Sequence, residues 1–112
     1  MSIPFDGLCP LIQVFDLPAS LAFYRDLLGF TVHMTSNPGP DGHIDWCRLQ
    51  VFGGACLMLS TMFERDQRHA QPDPARVAAH RDTCFYFSCP DVDAAYRYLR
   101  EKGVELKEPF VT

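Results

Sequence analysis

The sequence predicts an α+β fold made of two copies of one strand–helix–strand module, and three observations carry that prediction. DLPASLAFYRDLLGFTV, from Asp16 to Val32, reads as a helix cap, an apolar stripe, a glycine stop and a new strand. DVDAAYRYLREKGVEL, from Asp91, repeats that order. The capping acids stand 75 positions apart (16 and 91) and the stop glycines 74 (29 and 103). Loose self-similarity of this kind points to a repeated supersecondary unit.

The elements follow from local chemistry. LCPLIQVF, from Leu8 to Phe15, alternates faces as a strand should, with Ile12 and Val14 on one side and Cys9, Leu11 and Gln13 on the other. Asp16 can cap the next helix, and Pro18 fits its first turn, where a missing N–H costs nothing. Leu17, Leu21, Tyr24 and Leu28 recur at helical spacing, with Phe23 and Leu27 widening the stripe. Gly29 is the expected left-handed stop. Phe30 to about Thr35 is aromatic and β-branched, which favours a strand. SNPGPDG, from Ser36 to Gly42, is loop chemistry.

IDWCRLQVF and ACLMLST read as two strands joined at Gly53-Gly54, a strong hairpin signal. Cys47, Leu49 and Val51 share one face of the first, and Trp46, Arg48 and Gln50 the other. Leu57 and Leu59 oppose Cys56, Met58 and Ser60 in the second. Between 62 and 82 the chain turns charged and carries Pro72 and Pro74, as a linker or crossover would, with a short helix expected around Ala75 to His80.

DTCFYFSC then precedes Asp91 as a strand, Val92, Ala95, Tyr96 and Leu99 line one helical face, and Gly103 stops the helix before a strand through Val104 and Leu106. The expected layout is a first βαβββ module over 1–61, a linker over 62–82 and the start of a second module over 83–112, all in one structural domain. A symmetric second copy needs about two more strands. A clipped sequence is therefore expected in preference to a naturally short second sheet, whose unpaired edge would invite aggregation.

Composition narrows the function. The length of 112 residues suits one domain with a real core, and a hydrophobic fraction of 47% excludes wholesale disorder. Formal net charge is −4 with no basic run, so nucleic-acid binding is not expected. No apolar run approaches the roughly 18 residues of a membrane span. MSIPFDGL lacks the basic region and apolar core of a signal peptide, so a cytoplasmic location is expected. The five cysteines (Cys9, Cys47, Cys56, Cys84, Cys89) are odd in number, form no C-x-x-C pair and sit in strand-like stretches. Free, buried thiols are expected.

The tandem modules and the signature D-L-x-x-S-x-x-F-Y-x-x-x-L-G-F resemble the vicinal-oxygen-chelate superfamily, which includes glyoxalases, bleomycin-resistance proteins and extradiol dioxygenases. Asp16, Leu17, Ser20, Phe23, Tyr24, Leu28, Gly29 and Phe30 carry the signature. Asp91, Val92, Asp93, Ala94, Ala95 and Gly103 resemble the family's second copy. The resemblance covers the whole chain and is specific for fold, not for activity. It implies half-barrel sheets with helices on the convex side. Cys9, Leu11, Gln13, Trp46, Arg48, Gln50, Cys56, Met58, Ser60, Cys84, Tyr86 and Ser88 would then line a concave face, with Ile12, Val14, Leu49, Val51, Leu57, Leu59, Phe85 and Phe87 packed under the helices.

The resemblance also locates metal ligands. The family's metal enzymes take His or Gln seven residues before the capping acid, Glu in the strand after the hairpin, and His in the first strand of the second module. Those positions hold Cys9, Met58 and Cys84, and a last Glu would lie beyond Thr112. A hard or borderline divalent ion needs imidazole and carboxylate, not thioether; Cys9 and Cys84 could still share a soft ion such as zinc. The four histidines supply no second partner: His33 is on an early strand, His43 in the Gly/Pro loop, and His69 and His80 in the polar linker. No metal and no cofactor is expected.

The leading functional expectation is a metal-free binding protein of the bleomycin-resistance type. Its candidate ligand-binding residues are Gln13, Trp46, Arg48, Gln50, Met58 and Tyr86, with Trp46 and Tyr86 stacking on a flat molecule and Arg48 pairing with an anionic group. On the competing reading, the two aromatics are half-buried core residues and Arg48 a snorkelling strand residue. An enzyme of the same superfamily (a metal-dependent lyase, isomerase or dioxygenase) is the alternative, and an accessory protein without its own ligand a third. A homodimer is expected, because family members pair modules within or between chains.

Overall fold

The computed structural model describes residues 2–51, 54–61 and 71–106. They form two compact units, 1–72 and 73–112, whose boundary falls inside the stretch expected to be a linker. Residues 62–70 of that stretch, with the end of the expected final strand (107–112), lie outside the described residues.

The first unit carries a sheet. Strand β1 (Leu11–Val14) leads into helix α1 (Leu17–Leu21), which continues as a π-helical turn (Ala22–Leu27), and β2 (Thr31–Thr35), β3 (Trp46–Gln50) and β4 (Cys56–Thr61) follow. The four strands are ordered β1-β4-β3-β2, with β1 parallel to β4 and the other two pairs antiparallel. The first strand thus lies beside the last of the module. The strands are shorter than the apolar runs that announce them, because a strand extends only as far as its partner pairs with it.

The cap and stop signals act as the sequence predicts. Asp16 Oδ1 accepts the Ala19 N–H at 3.1 Å, with Pro18 in the first turn, and satisfies one of the helix's orphan donors. Gly29 takes φ +86°, which lets the Phe30 N–H reach back to the Tyr24 carbonyl at 2.9 Å. The wide turn between cap and stop was not expected. Its i→i+5 bond, Leu28 N–H to Phe23 C=O at 3.0 Å, adds a residue to the turn and delays every later side chain around the axis. Phe23, expected to widen the buried stripe, is instead 38% exposed. Tyr24 remains half-buried and packs edge-on against Phe30, 5.6 Å between ring centroids.

One face of the sheet holds the core. Cys47, Leu49, Leu57 and Leu59 from β3 and β4 are buried with Leu17, Leu21 and Phe30, and α1 lies against β4. Ile12, Val14 and Val51 are half-buried. Strand alternation then turns Trp46, Arg48 and Gln50 to the opposite face, together with Cys56, Met58 and Ser60, all half-buried. The hairpin turn closes with Val51 N–H to Ala55 C=O at 2.9 Å and Gly54 N–H to Val51 C=O at 3.2 Å, with Gly54 at φ +94°.

In the second unit the described residues form two helices and no strand: α2 (Pro74–Ala79), where the short helix was expected, and α3 (Val92–Glu101). Asp91 Oδ1 caps α3 through the Ala94 N–H at 2.9 Å. Gly103, at φ +83°, ends it with Val104 N–H to Leu99 C=O and Gly103 N–H to Arg100 C=O, both 3.1 Å. That pair of bonds is a Schellman stop.

Among the described residues, the helical half of the repeat is therefore present and its strands are not formed. Alternating apolar residues over 83–89 are only half of a strand; the other half is a ladder partner, and the described residues of this unit supply none. Phe87, expected to pack under a helix, is accordingly 61% exposed. One four-stranded module, not two, is complete. Among the described residues no helix is long and apolar enough to cross a membrane.

Candidate functional site

The candidate site is the face of the sheet away from α1. Its centre is a cross-strand row set by register: Met34 of β2 faces Arg48 of β3, Arg48 faces Met58 of β4, and Met58 faces Leu11 of β1. The adjoining row runs Trp46, Ser60, Gln13, and on the other side Gln50 faces Cys56. Trp46 and Arg48, two apart on β3, share the face. Trp46 sits at the strand's first position, held by Ser36, whose Oγ accepts the N–H groups of Asp45 (2.9 Å) and Trp46 (3.2 Å).

Five of the six expected binding residues, Gln13, Trp46, Arg48, Gln50 and Met58, are thereby brought onto one surface. The sixth, Tyr86, belongs to the second unit and is 96% exposed. One residue of the face was missed. The register of β2 on β3 shifts between Val32 and Met34, so His33 is the bulged residue and Met34, not His33, stands opposite Arg48. Simple alternation from Val32 would have given His33, and no residue type in TVHMT marks the extra step.

Arg48 dominates the chemistry. Its Nη2 donates to the Cys56 sulfur at 3.8 Å, and its Nε is shielded from solvent without an acceptor. A shielded guanidinium N–H without a partner costs on the order of 1–3 kcal/mol, a cost that a ligand oxygen placed on the face would remove. Beside it, the Cys9 thiol is pushed above its ordinary value of 9.0, chiefly by burial and then by its hydrogen bond and charge interaction with Cys56, while Arg48 pulls the other way.

The metal positions fit poorly. Cys9 and Met58 lie on this face, Cys84 is in the second unit, and Met58 is the register partner of Arg48. A thiol and a thioether next to a guanidinium are an unsuitable donor set for a hard or borderline dication, which the fixed positive charge also repels. Among the described residues no three His, Cys, Asp or Glu side chains cluster as ligands.

A separate hollow of about 220 Å³ lies between α1 and the loop after β2, lined by Leu17, Pro18, Leu21, Arg25, Gly42, His43 and Ile44. It is smaller than the roughly 300–1,000 Å³ of small-molecule pockets. Its cation, Arg25, is already engaged by Asp26 at 2.7 Å. The sheet face, with its aromatic, guanidinium, thioether and amide groups, is the better equipped of the two.

Comparison with known structures agrees with this architecture. A glyoxalase/bleomycin resistance protein from Streptomyces sp. CB03234 superposes with a TM-score of 0.62 at 24% identity, covering 93% of this chain and 80% of that one. A protein from the mobile metagenome of V. Pseudocholerae superposes with a TM-score of 0.65 at 20% identity, covering 99% and 78%. At these identities the likeness is one of fold. No curated protein matches the sequence. The model of the Glyoxalase/Bleomycin resistance protein/Dioxygenase superfamily, however, matches residues 9–112. The chain belongs to the Glyoxalase/Bleomycin resistance protein/Dioxygenase superfamily.

Proposed function

We propose that this chain is a small-molecule-binding member of its superfamily, holding a flat, partly aromatic and anionic compound on the open face of the sheet without a catalytic metal. The observation that carries the reading is the Arg48 Nε, shielded and without an acceptor, two residues from the only tryptophan. An aromatic ring stacked on Trp46 with a carboxylate or similar group at Arg48 would use both. Met34 and Met58 supply adaptable apolar contact on either side of Arg48, and Gln13 and Gln50 supply amide donors and acceptors at the edges.

Titration of Trp46 fluorescence with planar aromatic acids and their neutral analogues tests the reading. Saturable quenching by the acids, weakened about tenfold or more by Arg48→Ala and far less changed for the neutral analogues, is the expected result. Elemental analysis after purification without chelator covers the alternative. About one nickel, iron, manganese or zinc per chain would replace this reading with that of a metal-dependent lyase, isomerase or dioxygenase.

Two further expectations belong to the same proposal. The chain works in the cytoplasm, a compartment whose reducing poise suits a chain with five free cysteines. It works as a homodimer, a state supported by the exposed aromatics Tyr86 and Phe87 in a stretch with strand-like alternation. Sedimentation at micromolar concentration checks the second point, and a monomer alone would reject it.

A further inference from the structure

Cys9 and Cys56 meet on the sheet face although they stand 47 positions apart in sequence (9 and 56). The parallel pairing of β1 with β4 sets Leu11 opposite Met58, and the same register carried two residues back sets Cys9 opposite Cys56. The chain ahead of β1 does follow that register. The Met58 N–H donates to the Pro10 carbonyl at 2.8 Å, and the Cys56 thiol donates to the Leu8 carbonyl at 3.3 Å.

Neighbouring strands lie about 4.8 Å apart, inside the roughly 4.4–6.8 Å between Cα atoms that a disulfide spans. Both side chains lie on the face away from the core, half-buried and within reach of a small reagent. Arg48 Nη2, 3.8 Å from the Cys56 sulfur, offers positive charge to a thiolate there. Cys47, by contrast, is buried on the core face, and Cys84 and Cys89 belong to the second unit.

We propose that Cys9 and Cys56 are a cross-strand dithiol that a low-molecular-weight disulfide, such as oxidised glutathione, converts to an intramolecular disulfide. The Cys56 thiolate attacks one sulfur of glutathione disulfide; a new S–S bond forms as the old one breaks, and the first glutathione leaves as a thiolate and takes up the proton Cys56 gave. Cys9 then loses its proton and attacks the Cys56 sulfur, expelling the second glutathione. Two protein thiols are oxidised, and one disulfide is reduced to two thiols. The sulfur that accepts from Arg48 Nη2 thereby can no longer become a thiolate, so the oxidation state of the pair reaches the centre of the face. This inference is independent of what the face binds.

The test uses the whole chain, reduced and then freed of reductant, incubated with oxidised glutathione and quenched with an alkylating reagent. Expected are a fall in alkylatable thiols from five to three, an intact mass lower by two hydrogens, and a peptide map joining the peptide of Cys9 to that of Cys56. Cys9→Ser should stop the reaction halfway, leaving glutathione attached at Cys56. A linkage that bypasses Cys9 or Cys56, stable glutathione adducts on both without a linkage, or five thiols still free would each overturn the proposal.

Discussion

Leu59 and Met58 are neighbours on β4 with opposite fates, and truncating each in turn tests the two-faced sheet on which the site depends. Leu59 is fully buried, faces Cys47 of β3 on one side and Ile12 of β1 on the other, and belongs to a strand that α1 packs against. Removing its side chain leaves a cavity walled by elements on every side, so Leu59→Ala should cost about 3–5 kcal/mol, the upper part of the large-to-small range. Met58 is half-buried on the face away from α1, where solvent can follow the retreating side chain. Met58→Ala should cost about 1 kcal/mol or less, from partial loss of apolar burial.

Against a total stability of about 5–15 kcal/mol for a small domain, the first change should lower the urea midpoint by about a fifth or more and the second barely. Equilibrium unfolding followed by Trp46 fluorescence is the assay. That residue is the only tryptophan and lies in the first unit, so the signal reports the unit that carries the sheet. Equal losses for the two substitutions, or a larger loss at Met58, would refute the assignment of faces and remove the candidate site with it.

Three other outcomes follow from the same structure. Asp16→Ala should destabilise the first unit by about 0.5–2 kcal/mol, because the Ala19 N–H loses its acceptor, and Trp46 unfolding curves should show it. Gly29→Ala should cost about 1 kcal/mol from backbone strain alone, since φ is +86° while a Cβ would meet nothing within 4 Å; a larger loss in the same curves would mean hidden steric contact. Burial pushes the Cys47 thiol above its ordinary value of 9.0. The folded chain therefore holds that proton at pH values where the unfolded chain has lost it. The resulting stability is full below about pH 9 and is lost as pH rises through the folded value. Cys9, and Tyr24 from its ordinary value of 10.0, act in the same direction. Cys47→Ala should flatten the alkaline fall in the urea midpoint, and an unchanged slope would contradict the assignment.

What could be read from the sequence was what short stretches decide alone. Asp16 and Asp91 cap their helices, Gly29 and Gly103 stop them, and the alternation in WCRLQ and CLMLS separates core from open face, because each depends on a residue and its near neighbours. The π-helical turn could not be read, since AFYRDL has ordinary helical residues and nothing in their types marks the wider turn. The bulge at His33 was hidden for a similar reason: register belongs to a pair of strands. Periodicity proposed strands on both sides of α3, but periodicity supplies no partner. The site was half legible. Parity placed Trp46, Arg48, Gln50 and Met58 together, whereas the meeting of Cys9 with Cys56 required the strand order, which no local signal encodes.

The order β1-β4-β3-β2 also governs when the module can assemble. Hairpin partners β3 and β4 emerge within a few residues of each other, but Leu11 must wait for Met58, 47 positions later (11 and 58). Closing a loop of that length costs about 3.4 kcal/mol of chain entropy beyond a constant term, and nothing offsets it until the parallel ladder forms. During synthesis the first strand leaves the ribosome with its hydrogen-bonding edge vacant and keeps it so until Cys56 to Thr61 follow. A nascent chain halted anywhere before that point exposes LIQV as an open edge. The segment made first is thus the last to gain its place, and the residues that bear the open face become a common surface only when synthesis of the module is complete.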